Sequence, residues 1–340
     1  MLDNVEVIAE GEAPLLCWMD PDDAREWFRE NKSREMRDKL MEPSEAVNRF
    51  IRNGSYIAFG GFGHVRVPMV LIYEMIRQGV RDLTIGAKTA VHDIDILIAA
   101  GSVSRVEVAY AFGHELRGLS PAGRRAVESG KVKIVSEWSN AAFQWRFKAA
   151  AMGLPFIPTR IMMGTDTFRK SSAKVIRDPY SGKPVLLIPA CYPDVAVIHV
   201  HRADRYGNAQ ILGHVIEDFE LARAAKRLII TAEEIVSTEK IREEPHRTTI
   251  PYFLVDAVIE QPFGSHPCNM PYLYASDEEH MAEYLNLTRT EEGVREYLNK
   301  YVYGVRDFWE YLERVGGLKK LKYLMDLERG RAKPVYPWVS

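Results

Sequence analysis

Cysteine is scarce in this chain: Cys17, Cys191 and Cys268 are the three that 340 residues contain. The number is odd and the spacings form no pairs, which argues against the disulfide framework of a small secreted domain. They read as free thiols of a reducing cytoplasm. Long apolar runs are missing as well, and none comes near the roughly 20 residues that cross a bilayer. The opening MLDNVEVIAEGEAP is acidic and lacks the basic-then-apolar order of a secretion signal. Neither sign of charge dominates. The net charge is −2, so no overall field draws the chain toward nucleic acid or anionic lipid. What remains is an ordinary globular composition, 46% apolar and 27% charged, long enough for one large domain or two.

Complete catalytic signatures are missing too. The stretch NGSYIAFGGFGHVRVP at 53–68 runs a strand, Tyr56 to Phe59, into Gly60, Gly61 and Gly63. Strand, glycines and helix suggest phosphate binding. A dinucleotide loop, however, needs a third glycine where Arg66 stands. It also needs a carboxylate at the end of the next strand, and Asp82 precedes that strand. A Walker loop needs Gly-Lys-Ser/Thr, and here Arg66-Val67-Pro68 follows. His114-Glu115 opens like a zinc-protease helix, yet Gly118 occupies the second histidine's position. No G-x-S-x-G elbow occurs. His199 and His201 share one face of a strand with no third ligand close in sequence. They read as polar-face histidines, and no metal is expected.

What is present is an alternation of strand and helix. Ala46, Val47, Phe50 and Ile51 mark a first helical face, stopped by Asn53-Gly54. Pro68 opens the next helix and Gly79 ends it, the usual asymmetry of proline at the start and glycine past the end. Strands at 83–85, 106–111 and 132–135 alternate with helices near 93–100, 120–129 and 140–152. Strands at 195–200, 227–231 and 255–260 mark the second half, and from Asp277 the pattern is mainly helical. This order predicts an α/β fold, an open and mainly parallel sheet flanked by helices. Residues 1–42 read as a partly helical N-terminal extension, 43–315 as the α/β domain and 316–340 as a C-terminal tail.

Ligands of such folds bind at the carboxyl edge of the strands. Three loops there carry chemistry. Gly60, Gly61, Phe62 and Gly63 form either a tight turn or a place where backbone N–H groups meet a ligand. Glu115, after the strand at 106–111, is either a general base or nucleophile, or a solvated loop glutamate. Ser265 and His266, after the strand at 255–260, either line a pocket or belong to a turn beside Pro267.

Asn53-Gly54, the apolar strand, Gly60-Gly61-Phe62 and Pro68 together resemble the signature of family I CoA-transferases. Further stretches resemble, in order, the A-type subunits of the glutaconate CoA-transferases. They are EMIRQGVRDLT (74–84), AAAMGLPFIP (149–158), DVAVIHVHRADRYGN (194–208), AAKRLIITAEEIVSTEKIR (224–242) and SHPCNMPYLYASD (265–277). The resemblance covers about residues 43–315 and leaves 1–42 without a counterpart. Many members of the family have glycine where Arg66 stands; the glutaconate-type chains carry arginine.

The resemblance implies one half of an enzyme that shares its site with a B-type subunit. A glutamate of that partner attacks an acyl-CoA thioester, giving a mixed anhydride and then a glutamyl-CoA thioester, and CoA passes to an acceptor acid. Coenzyme A is then a substrate, and no tightly bound cofactor is expected. The nucleophile's loop has no counterpart here. The nearest string, SEWSN at 136–140, falls in an ordinary part of the A-type chain, so Glu137 is not assigned. The glycine loop would help stabilise developing negative charge, and a two-chain interface would keep the anhydride from water. Arg66 would pair either with the free carboxylate of a dicarboxylic acyl group or with a carboxylate of the protein. Two alternatives stand beside this one. Ring-opening CoA hydrolases of the same fold use a glutamate of the A-type chain close to the position of Glu115. Or the chain is a structural and binding half, inert without its partner.

Overall fold

A computed structural model describes residues 6–338; the first five residues of the expected extension and the last two of the tail lie outside the described residues. The chain starts with β1 (Val7–Glu10) and α1 (Pro21–Asn31), and α2 (Pro43–Phe50) leads into the alternation. This runs β2 (Tyr56–Phe59), α3 (Met69–Arg77), β3 (Leu83–Ala90), α4 (His92–Ala99), β4 (Val103–Ala111), α5 (Pro121–Glu128), β5 (Lys133–Glu137) and α6 (Asn140–Ala151). Next come β6 (Phe156–Thr159), α7 (Asp166–Arg169), β7 (Lys174–Arg177), β8 (Pro184–Pro189), β9 (Val195–Ala203) and β10 (Ala209–Gln210). Then follow α8 (Asp218–Ala224), β11 (Arg227–Ile235), α9 (Thr238–Glu243), β12 (Thr248–Ile250) and β13 (Ala257–Glu260). Helices α10 (Glu278–Leu287), α11 (Glu291–Leu298), α12 (Phe308–Arg314) and α13 (Gly317–Glu328) close the chain.

The expected parallel sheet is there. Strands β5, β4, β3, β2, β9, β11 and β13 pair in parallel in that order, with short antiparallel β10 and β12 beside the end of β9. Side chains of a strand alternate between faces, and both faces here are apolar. Ile57 and Phe59 enter one core with α3, α4 and α10 to α13, while Tyr56 and Ala58 enter the other with α6, α8 and part of α1. Serines cap the helices where a strand-end loop must turn: Ser120 accepts from the Gly123 N–H and Ser139 from the Ala142 N–H.

Three features differ from the sequence expectation. Strand β3 runs on to Ala90, all eight residues buried. Gly86, Ala87 and Lys88 hide that continuation, because their strand preference comes from burial here and not from type. A second, antiparallel sheet, β1-β7-β8-β6, packs behind the main one. Its β7–β8 hairpin had a sequence signal, the turn Asp178–Lys183 between two apolar runs. Residues 6–42, expected as an extension, supply β1 to that sheet, and the backbone at Lys39 and Met41 bonds Val258 along the outer edge of β13. That edge is thereby covered. Among the described residues, no helix is long and apolar enough to cross a membrane.

Candidate active site

All seven parallel strands point their carboxyl ends to one edge, and the loops leaving them meet there. Backbone strain gathers at this edge. Arg66, Thr89, Phe112, Glu115 and Phe263 all have positive φ. Thr89, at +46°, is the most unusual, since a β-branched residue is the most penalised in that region. Strain held by surrounding structure concentrates at functional sites.

The glycine loop folds around an aspartate from far along the chain. The Gly61 N–H donates to Asp218 Oδ1 at 3.1 Å, and a Cβ on Gly60 would lie 2.6 Å from that oxygen. Gly60 donates to the Val197 carbonyl, Phe62 to Val65 and Gly63 to Thr89, at 2.9 to 3.0 Å. The close approach that glycine permits is therefore to the chain's own groups. The N–H groups expected to meet developing charge on a substrate are each used within the protein.

Arg66 takes the protein-carboxylate alternative. Its Nη1 and Nη2 donate to the two oxygens of Asp218 at 2.9 and 2.6 Å, and also to the carbonyls of His199 and His214. The side chain is 1% exposed, so its fork is closed to a substrate carboxylate in this conformation. Burial opposes the charge on Asp218, but the Arg66 charge and hydrogen bonds overcome it and hold the carboxyl below its usual value.

The preceding residue, Glu217, holds the end of β3. Lys88 Nζ donates to it at 2.5 Å and lies 5.0 Å from the Phe62 ring centroid, while the ring itself reaches the surface. Burial pushes the Glu217 carboxyl up to about 7, with Lys88 pulling the other way. Folding thus raises its proton affinity. The associated stability is complete below the unfolded value near 4.5 and is lost as pH rises through 7. We expect Glu217→Gln to flatten the fall of unfolding free energy between pH 5 and 7.5 by up to about 1.4 kcal/mol per pH unit. Urea titrations of variant and wild type across that range check it.

Glu115 is exposed and opens a single 3₁₀ turn, Glu115–Arg117, with φ +56°. Its neighbours are firmly held. His114 is fully buried with Nδ1 3.2 Å from His64 Nε2, and Arg117 Nη1 lies 3.3 Å from His64 Nδ1. Arg117 also forks onto Glu278, which accepts from Trp338 Nε1 at 3.1 Å. Burial, aided by the Arg117 charge, keeps both histidines uncharged, His114 down to about 3. The glycine loop, the Glu115 loop and the chain's last helices are thus tied together at this edge.

Ser265 and His266 do not line a pocket here. Both are fully buried. The Ser265 N–H donates to Tyr274 Oη at 3.1 Å. His266 Nδ1 meets Tyr311 Oη at 2.7 Å and Nε2 meets Asp277 Oδ2 at 3.2 Å. The reason is the cover laid over them by α12, which the local turn pattern could not announce. His199 pairs with Thr231 and Glu233, and His201 with Pro271 and Leu212, both histidines buried. Among the described residues, no group of three or more His, Cys, Asp or Glu is placed to hold a metal.

Sequence reasoning missed Lys88, Glu217, Asp218 and the Arg117–Glu278 pair. Their partners lie 129 to 161 residues apart, so no local motif marks them. Beside the exposed Glu115, large apolar side chains are also exposed here: Phe62, Tyr110, Leu116, Leu119 and Tyr272, Leu116 to 86%.

Comparison with known proteins agrees with this architecture. The family described as coenzyme A transferase matches residues 40–261. The chain is 71% identical over 337 residues to an uncharacterized protein of Archaeoglobus fulgidus, spanning 99% of this chain and 75% of that one. It is 33% identical to the A-type chain of glutaconate CoA-transferase from Acidaminococcus fermentans, over 83% of this chain and 93% of that one. The crystal structure of that transferase superposes with a TM-score of 0.79 over 84% of this chain and 95% of the other, at 32% identity. A cholesterol ring-cleaving hydrolase IpdA subunit of Rhodococcus jostii is 30% identical, over 81% of this chain and 95% of that one. The chain belongs to the coenzyme A transferase family and is a CoA-transferase subunit of the A type.

Proposed function

We propose that this chain pairs with a B-type subunit in the cytoplasm to move CoA between carboxylic acids, dicarboxylic or aromatic ones, through a glutamyl-CoA thioester on the partner. One observation carries the reading. The N–H groups of the glycine loop and the Arg66 fork are turned inward, while Glu115 and its neighbours Leu116 and Leu119 stand exposed, as do Phe62 in the glycine loop and Tyr110 near the end of β4. Such an edge is half of a site: an apolar rim suited to a second chain, with the nucleophile to come from that chain. The second reading, water-dependent cleavage by Glu115, is favoured because this carboxylate of the edge is both exposed and strained in backbone.

The test uses the complex copurified with its partner. It is incubated with acyl-CoA, treated with borohydride or hydroxylamine, and any modified glutamate is mapped by mass spectrometry. A modified glutamate on the partner is the expected result; a complex that turns over without one on either chain overturns the transferase reading. In the same complex, Glu115→Gln should keep CoA transfer within about tenfold of wild type. A loss beyond about a thousandfold would instead match removal of an essential acid–base or nucleophilic group.

A further inference from the structure

Two of the three thiols lie together, on the side of the sheet away from the carboxyl edge. The Tyr192 N–H donates to the Cys17 carbonyl at 2.7 Å, which sets the backbone at 17 beside that at 191–192. Arg146 grips both stretches: its Nη2 donates to the Leu16 carbonyl at 2.8 Å, and its own carbonyl accepts from the Cys191 N–H at 3.1 Å. Within this frame Cys17 packs against the same core that holds Cys191. Cys191 is fully buried, and Cys17 is half-buried. Cys17 has φ +52° and sits in the connection between β1 and α1. Cys268 packs in the opposite core, across the sheet.

We propose that Cys17 and Cys191 are a disulfide site that fastens the N-terminal segment to the back of the main sheet when a low-molecular-weight disulfide is present. The Cys17 sulfur loses its proton and attacks one sulfur of the oxidant. A mixed disulfide forms and one small thiolate leaves. The Cys191 sulfur loses its proton, attacks the Cys17 sulfur and expels the second thiolate. Two protein thiols are oxidised, one small disulfide is reduced to two thiols, and the two protons end on those thiols. The neighbouring Cys191 thiol, with burial, raises the Cys17 thiol above its usual value, so the pair rests as a dithiol and closes slowly. Closure would enclose the chain from 17 to 191, including β2 through β8, and a long closed loop gives a large entropic restraint on the unfolded chain.

The full chain is incubated with oxidised glutathione at mildly alkaline pH, and in a parallel sample with diamide. It is then alkylated, digested and mapped by mass spectrometry. The expected product is one Cys17–Cys191 cross-linked peptide with Cys268 alkylated, and a melting temperature raised by about 5 °C or more, reversed by dithiothreitol. Cys17→Ser, at the half-buried position, should abolish both the cross-link and the rise. Glutathione remaining on Cys17 without closure, cross-links through Cys268, or no reaction with either oxidant would overturn the proposal.

Discussion

Asp218→Ala is expected to lower the unfolding free energy by about 3–5 kcal/mol. The carboxylate accepts two hydrogen bonds from Arg66 and one each from the Gly61 and Ile216 N–H groups, in a fully buried setting. Its removal leaves the guanidinium buried without a counter-charge and the glycine loop without its centre. Breaking one partner of a buried pair is far worse than replacing both, so Arg66→Met with Asp218→Leu should recover most of the loss. Urea denaturation of the three proteins measures this. A single-variant loss within about 1 kcal/mol would show that Arg66 is not held by Asp218, and would return it to the role of a substrate ligand. If Asp218 also shapes the edge for catalysis, the double variant should regain stability without regaining activity.

Gly61→Ala and Gly63→Ala separate the two uses of glycine in one loop. At Gly61 a Cβ would lie 2.3 Å from the Val65 carbonyl oxygen and 2.8 Å from that of Arg66, with φ at +88°. Backbone atoms cannot step aside as a side chain can, so overpacking adds to the conformational strain. The loss should be about 3 kcal/mol or more. At Gly63, φ is +61° and nothing lies within 4 Å of the added carbon. Only the left-handed conformation is then penalised, by about 1–2 kcal/mol. Thermal or urea unfolding of both variants decides the matter, and equal losses would mean that close approach at Gly61 contributes nothing. The contrast also predicts that Gly63→Asn is tolerated better than Gly63→Ala, since asparagine accepts positive φ more readily.

The sequence by itself determined the strand–helix alternation of the main sheet, because that alternation rests on local chemistry, while the second sheet of β1, β6, β7 and β8 was not legible in it. Alternating apolar residues put Ile57 and Phe59 on one face and Tyr56 and Ala58 on the other. Ser120 and Ser139 cap helices where the strand pattern stops. Several separate motifs in register were also enough to indicate the family. Local pattern could not say what each polar group faces. Glycine at 60 and 61 signalled a close approach, but whether to a ligand or to the chain depended on Asp218, 157 residues beyond Gly61. Arg66 read equally well as a substrate clamp or a structural pair until that same aspartate was placed. Ser265 and His266 followed a strand just as site residues do, and only the helices packed over them made them interior. Partners so distant in sequence are brought together by packing of the two cores, and the burial that results sets which charges must be paired. That is why tertiary structure alone could assign these roles.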